Sequence, residues 1–242
     1  MSPESFILDQ SKVSAPKSLL TMAKTRAKVA RVVIAFCHSK SAISGAKQAF
    51  DLDLIEPIFV GPRNKIVHQF YITNDDMSTG IMISDAAVNI KPSEKTLKTI
   101  TETMVNSLKL LGIETPKIAF LSASEMVMEN MESTVVAQNL REWAKENIKD
   151  AFFSGPLALD LIISREAALK KGLGEDPVAG QSNGIIVPEI VSGNTLYKSL
   201  VYFAGGCAAG IVLGAKVPVL LTSRADPPEA RLASIALASI LS

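Results

Sequence analysis

Thiols and imidazoles are scarce in this chain: its 242 residues include two Cys, Cys37 and Cys207, and two His. The two Cys lie far apart, and no His or Cys stands near either at metal-ligand spacing. A disulfide framework and a structural zinc site are therefore excluded. Charge of one sign is also lacking. Lys and Arg number 25 against 24 Asp and Glu, a net charge of +1. No whole-surface attraction to nucleic acid or an acidic membrane is expected, although local basic patches stay open. Long apolar runs are missing as well. VARVVIAFC and AGIVLGAKVPVLL are broken by Arg31, Lys216 or Pro218, well short of the about 20 residues that a spanning helix needs. The N-terminus, MSPESFILDQSK, places two acids around its short apolar stretch and has no signal-peptide layout. No internal repeat or low-complexity tract is present.

What the chain does have is apolar mass: 48% hydrophobic against 20% charged residues, with a mean hydropathy of +0.26. Global disorder is excluded, and the apolarity is read as buried parallel strands in a soluble, cytoplasmic, reduced protein. The length suits one large α/β domain or two smaller ones sharing a cleft.

Strand and helix patterns alternate along the chain. Residues 30–36 are a β-branched run, followed by a helix near 40–50 and a strand at 56–60 closed by Gly61-Pro62. Residues 67–73 and 80–85 read as strands of a hairpin around NDDMSTG. Leu97, Ile100, Met104, Leu108 and Leu111 recur at helical spacing, predicting an amphipathic helix over 93–112 that ends at Gly112. A strand at 117–122 and a helix faced by Val136, Leu140 and Trp143 follow. The second half predicts a strand at 150–154, a helix over 160–171, a polar loop, a strand at 184–188 and a helix over 192–204. Close strands at 209–213 and 217–221 and a helix over 227–241, apolar nearly all round, complete the chain. The alternation implies right-handed βαβ units and a mostly parallel sheet, an α/β fold.

The most informative segment is LTSRADPPE, residues 221–229, which ends a strand and starts a helix. Asp226 is placed to cap that helix, Pro227 suits its first position, and Glu229 completes a capping box. Ser223 and Arg224 sit where backbone N–H groups and the helix dipole favour an anion. An Arg there grips phosphate oxygens, and a Ser hydroxyl donates to an oxyanion. An anion site and plain helix capping both stand at this level. Cys207 lacks a nearby His and reads as a buried small residue; His38 reads as a surface residue. Met126, Met128 and Met131 read as adaptable packing or a subunit contact. Asp75-Asp76 lie in a turn with no further acids at suitable spacing, so no metal site is expected.

FAGGCAAGIVLGAKVPVLLTSRADPPEARLASIALA resembles the C-terminal signature of the phosphate acetyl/butyryltransferase (phosphotransacylase) family. The likeness extends back through SGNTLYKSL, IIVPEI, DPVAGQSNG, SGPLALD, the stretch 117–140 and ISDAAVNIKP, to RVVIAFCHSKSAISGAKQAFDLDLIEPIFVGP. It covers most of the chain with its motifs in order, and the SRAD form is closer to the butyryl-type branch.

The resemblance implies two three-layer α/β domains with mostly parallel sheets around a cleft, isocitrate/isopropylmalate dehydrogenase-like. Residues 1–66 plus 223–242 would form the first and 67–222 the second. It implies transfer of an acetyl or butyryl group between coenzyme A and inorganic phosphate, with no tightly bound cofactor. The CoA thiolate would attack the acyl phosphate directly. By the same likeness Ser223 and Arg224 serve the phosphate or oxyanion, while Asp226, Glu229 and Asp160 are candidate bases. Gly193, Asn194, Tyr197 and Lys198 border the coenzyme A, and the protein is a homodimer across its second domain.

Departures from the family pattern accompany these matches. The acetyl branch's proposed base falls at Ala230, and an Arg of that branch appears as Tyr202. GPRNKI (61–66) passes almost directly into VHQFYITNDD, where the family has a long intervening stretch. A deletion that compromises the enzyme, or the junction of two stretches of a longer protein, would each produce this join. Function classes weighed against the acyltransferase are a non-catalytic CoA- or phosphate-binding dimeric relative, a metal-dependent decarboxylating dehydrogenase and an acyl-carrier-protein:phosphate acyltransferase. The acidic triad that the dehydrogenase needs for its metal is not found.

Overall fold

The computed structural model describes residues 15–25, 30–32, 48–49, 51–52, 54–57, 67–73, 80–214, 219–220, 223 and 226–241. The contacts divide the chain into two compact units, Met1–Gly80 with Thr195–Ser242, and Ile81–Asn194.

In the unit Ile81–Asn194 the order is β4 (Ile81–Ser84), α2 (Glu94–Leu110), β5 (Lys117–Leu121), α3 (Glu132–Asn147), β6 (Phe152–Leu157), α4 (Leu159–Ile163), α5 (Arg165–Lys170) and β7 (Gly184–Ile186). The start of α6 (Ile190–Tyr202) follows. The strands line up β6-β5-β7-β4, and all three pairings are parallel. Short buried runs such as IMIS and KIAFL are what a sheet covered by helices requires. Helix α2 buries Leu97, Ile100, Met104 and Leu108 at helical spacing. Its two buried hydroxyls return to their own helix, Thr101 to the Leu97 carbonyl at 2.8 Å and Ser107 to the Thr103 carbonyl at 2.9 Å. The helix starts where Ser93 Oγ accepts from the Thr96 amide at 3.3 Å and ends before Gly112 at φ +89°.

The single helix expected over 160–171 is two. Ser164 is extended, at φ −115° and ψ 112°, and its side chain accepts from the Ala167 amide, opening α5 as a new helix. A serine at a cap competes with helix continuation, and here it wins. The strand expected at 150–154 lies later, at Phe152–Leu157.

In the other unit, α1 (Lys17–Lys24) buries Leu19 and Ala23. Strands β1 (Ala30–Val32) and β2 (Ile55–Pro57) pair in parallel. Strand β3 (Val67–Thr73) pairs antiparallel with β8 (Cys207–Leu213) over seven positions, with Phe70 opposite Gly210. Val212 and Val219 exchange backbone bonds at 2.7 and 3.0 Å, and of the strand expected at 217–221 only 219–220 lie within the described residues. Helix α7 (Pro228–Ile240) packs against α1, β1 and β8. Contact on several sides explains why every residue from Ala230 to Ile240 is buried, as the apolar sequence predicts. Ser234 in that helix donates to the Ala230 carbonyl at 2.8 Å and accepts from the Gly210 amide at 2.9 Å, tying α7 to β8.

Several expectations fall outside the described residues: the helix over 40–47, the turn at 74–79, His38, Cys37 and the junction at 61–66. Of the helix, 48–49 and 51 are helical. Among the described residues no helix is long and apolar enough to cross a membrane.

Candidate functional site

Helix α7 begins one residue later than the sequence suggests. Pro227 is the N-cap, at φ −68° and ψ 162°, and offers no side-chain cap; Pro228 takes the first helical position. Asp226 therefore precedes the cap and does not cap the helix, and no capping box forms with Glu229. This corrects the local reading, and it leaves the Asp226 carboxylate for other partners.

Those partners are specific. The Ser223 amide donates to Asp226 Oδ2 at 2.6 Å, and the Tyr197 hydroxyl donates to Oδ1 at 3.3 Å. The Asp226 amide returns to the Ser223 carbonyl at 3.1 Å, closing a tight turn. Arg231, one turn into α7, donates from Nη2 to that same carbonyl at 2.9 Å. Tyr197 lies on α6 with its ring stacked on Phe70 of β3, centroids 3.8 Å apart and planes 9° from parallel. His68 meets Phe70 edge-on at 4.2 Å. Phe70 sits opposite Gly210, whose amide Ser234 holds, so β3, β8, α6 and α7 jointly fix the cluster.

Burial pushes the Asp226 carboxyl above the usual carboxylate range. The Ser223 amide, the Tyr197 hydroxyl and the charges of Arg231 and Lys198 pull it back only in part. Burial likewise raises the Tyr197 phenol, helped by the Asp226 charge, the hydrogen bond between them and Tyr202. Tyr197 thus stays a proton donor, while Asp226 is a carboxyl that exchanges its proton nearer neutrality than a solvated one. That is the property a general base needs.

The structure brings Ser223, Asp226 and Tyr197 together, with Lys198 close enough for its charge to be felt at Asp226. Arg224 lies outside the described residues. Asp160, Gly193 and Asn194 belong to the unit Ile81–Asn194. Asp160 Oδ2 stands 3.4 Å from Lys171 Nζ, which also reaches Glu125 at 3.6 Å, and its side chain is 52% exposed. Gly193 is explained by packing: a Cβ there would meet Val187 Cγ2, the Asp85 carbonyl and Ala86 Cα at 2.8, 2.9 and 3.0 Å. Asn194 Nδ2 donates to the Ala86 carbonyl at 3.2 Å. Both therefore anchor the Asp85–Asn89 loop, in which the Asp85 carboxylate accepts the amides of Ala87, Val88 and Asn89. Helix α6 opens on Glu189, which accepts the Val191 and Ser192 amides at 2.7 Å each. Ala230, where the acetyl branch places its base, is a buried methyl within α7 and can do no proton chemistry.

Sequence reasoning missed Arg231 and Phe70. Arg231 had a signal, being the one charge inside the mostly apolar run from Ala230 to Leu241. Phe70 had none, because its role depends on pairing across distant strands.

A family model described as phosphate acetyl/butaryl transferase matches residues 6–239. The chain belongs to that family. A probable phosphate butyryltransferase of Bacillus subtilis is 44% identical over 164 residues, covering 67% of this chain and 54% of that protein. A phosphate acetyltransferase of Thermotoga maritima is 40% identical over 166 residues, covering 68% and 56%. The chain thus spans about half the length of these curated relatives. Among solved structures, a branched-chain phosphotransacylase of Enterococcus faecalis superposes with a TM-score of 0.68 at 27% identity, covering 94% of this chain and 96% of that one.

Proposed function

We propose that this chain is a phosphate acyltransferase that moves an acetyl or butyryl group between coenzyme A and inorganic phosphate. The observation that carries the reading is the placement of Asp226, within a family match over residues 6–239, as a partly buried carboxyl beside Ser223. In the direction of acyl-CoA synthesis, Asp226 takes the proton of the CoA thiol, and the thiolate attacks the acyl-phosphate carbonyl. The tetrahedral intermediate collapses, the carbonyl–phosphate bond breaks and phosphate leaves. In reverse, a phosphate oxygen attacks the thioester and protonated Asp226 returns its proton to the departing thiolate. Ser223 and Arg224 serve the phosphate and the developing oxyanion. Asp226 is preferred to Asp160 as base because Asp160 is half exposed and engaged by Lys171.

Gly193, Asn194, Tyr197 and Lys198 remain the proposed border of the coenzyme A site. The SRAD motif supports the butyryl-type branch. A cytoplasmic place of action accords with the scarcity of Cys in the sequence, two residues far apart. Homodimer formation is supported by exposed Met126, Val127 and Met128, which follow Glu125, itself tied through Lys171 to the start of α4. The proposed domain division, 1–66 with 223–242 against 67–222, predicts first proteolytic cuts near 66 and 222. First cuts near 80 and 194 would contradict it.

The test is thiol release from acetyl-CoA and butyryl-CoA, with and without phosphate. Saturable, phosphate-dependent release with either thioester supports the reading. No release with either overturns it, and binding of both substrates without turnover would favour a non-catalytic relative.

A further inference from the structure

We infer that Tyr197 is a positioning residue that sets the protonation of Asp226, an inference that rests on the reading of Asp226 as the base. The geometry comes from a contact 29 positions apart in sequence, the Tyr197 hydroxyl on Asp226 Oδ1. Three features make this contact more than incidental. Tyr197 is 4% exposed and its ring is stacked flat on Phe70, so its hydroxyl oxygen has little freedom to move away from Asp226. Asp226 Oδ2 is already taken by the Ser223 amide, so the carboxylate plane is fixed from the other side. The turn that carries both residues is in turn held by Arg231 at the Ser223 carbonyl.

Among the described residues, the charged and titratable groups that act on Asp226 are Tyr197 and Lys198 from α6 and Arg231 from α7. The two cations act through charge alone, whereas Tyr197 and the Ser223 amide hold the carboxylate by direct bonds. Tyr197 is the one of these four whose contribution a single atom can remove. Its 3.3 Å bond is longer than an ordinary O–H···O bond, which points to a modest tuning effect and not to an essential group.

Removing the hydroxyl takes a donor from the ionised carboxylate and so makes Asp226 hold its proton to higher pH. Tyr197→Phe keeps the ring on Phe70 and isolates the hydroxyl. In the direction of acyl-CoA synthesis, where Asp226 must be ionised, the expected result is an acidic limb of kcat/KM displaced to higher pH, with rates on that limb down about three- to tenfold relative to the alkaline plateau, as loss of one long hydrogen bond of ordinary strength implies. In an Asp226→Asn background the same substitution should cost nothing further. A purely structural Tyr197 would lower limb and plateau equally and would still add its cost in that background; either outcome overturns the inference.

A second measurement does not depend on turnover. Carbon-13 NMR titration of Asp-labelled protein, with the Asp226 resonance assigned by its loss in Asp226→Asn, reads the carboxyl directly. An upward displacement of its midpoint in folded Tyr197→Phe supports the inference, and an unmoved midpoint overturns it. If the wild-type chain releases no thiol, the proposed function fails while this titration still decides the role of Tyr197.

Discussion

On Asp226, the proposed base, two opposing influences meet in one carboxyl. Burial favours its neutral form, while two donors and two cations favour its ionised form, and burial wins. The folded chain therefore holds this proton to a higher pH than the unfolded chain does. Between those two values the folded state binds more protons, so stability falls as pH rises through that window. Asp226→Asn removes the ionisation. Its amide can accept from the Ser223 N–H and donate to the Tyr197 hydroxyl, which can turn to receive it. Thermal unfolding as a function of pH should show the variant melting above wild type at alkaline pH, with the gap closing toward acid; a variant melting below wild type at every pH would contradict this. Arg224→Ala belongs to the same scale. It should raise the phosphate KM and lower turnover, and unchanged phosphate kinetics would remove Arg224 from the site. The Ser-Arg-x-Asp spacing was legible in the sequence as a candidate anion site, with plain helix capping as the alternative. The orientation of Asp226 was not, because it depends on which of two consecutive prolines starts the helix and on a tyrosine 29 residues away.

Elements hold this residue cluster in place through a few buried bonds. Ser234 joins α7 to β8 by accepting the Gly210 amide. Ser234→Ala leaves that buried donor without its partner, at a cost of about 1–3 kcal/mol. For a chain of this size each kcal/mol lowers Tm by about 2–4 °C, and an unchanged Tm would show that the bond contributes nothing. Gly193→Ala should be comparably damaging, by about 1–3 kcal/mol, because its methyl would press on the Asp85–Ala86 backbone and Val187. Chemical denaturation measures this, and a stability equal to wild type would return Gly193 to a purely ligand-facing role. Helix α2 and the all-round burial of α7 were readable from periodicity, since apolar spacing alone specifies them. The break at Ser164 was not, because a serine's choice between continuing a helix and capping a new one is made by backbone geometry.

At the scale of the whole molecule, the alternating strands predicted an α/β protein, and the parallel order β6-β5-β7-β4 realises it. The antiparallel partnership of β3 with β8 was not legible, because it joins segments more than a hundred residues apart. Sedimentation equilibrium tests the proposed homodimer: a mass twice the 25.8 kDa of the chain is expected, and a monomer mass would contradict it. The central claim is that this molecule transfers acyl groups to and from phosphate with Asp226 as its base. The most direct measurement is thiol consumption when coenzyme A meets butyryl phosphate or acetyl phosphate, by wild type and Asp226→Asn, compared on the alkaline plateau of that direction with both proteins shown to be folded. The account predicts turnover by the wild type and a loss of about a hundredfold or more in the variant, the scale on which a general base acts. Equal turnover by the two proteins would contradict it.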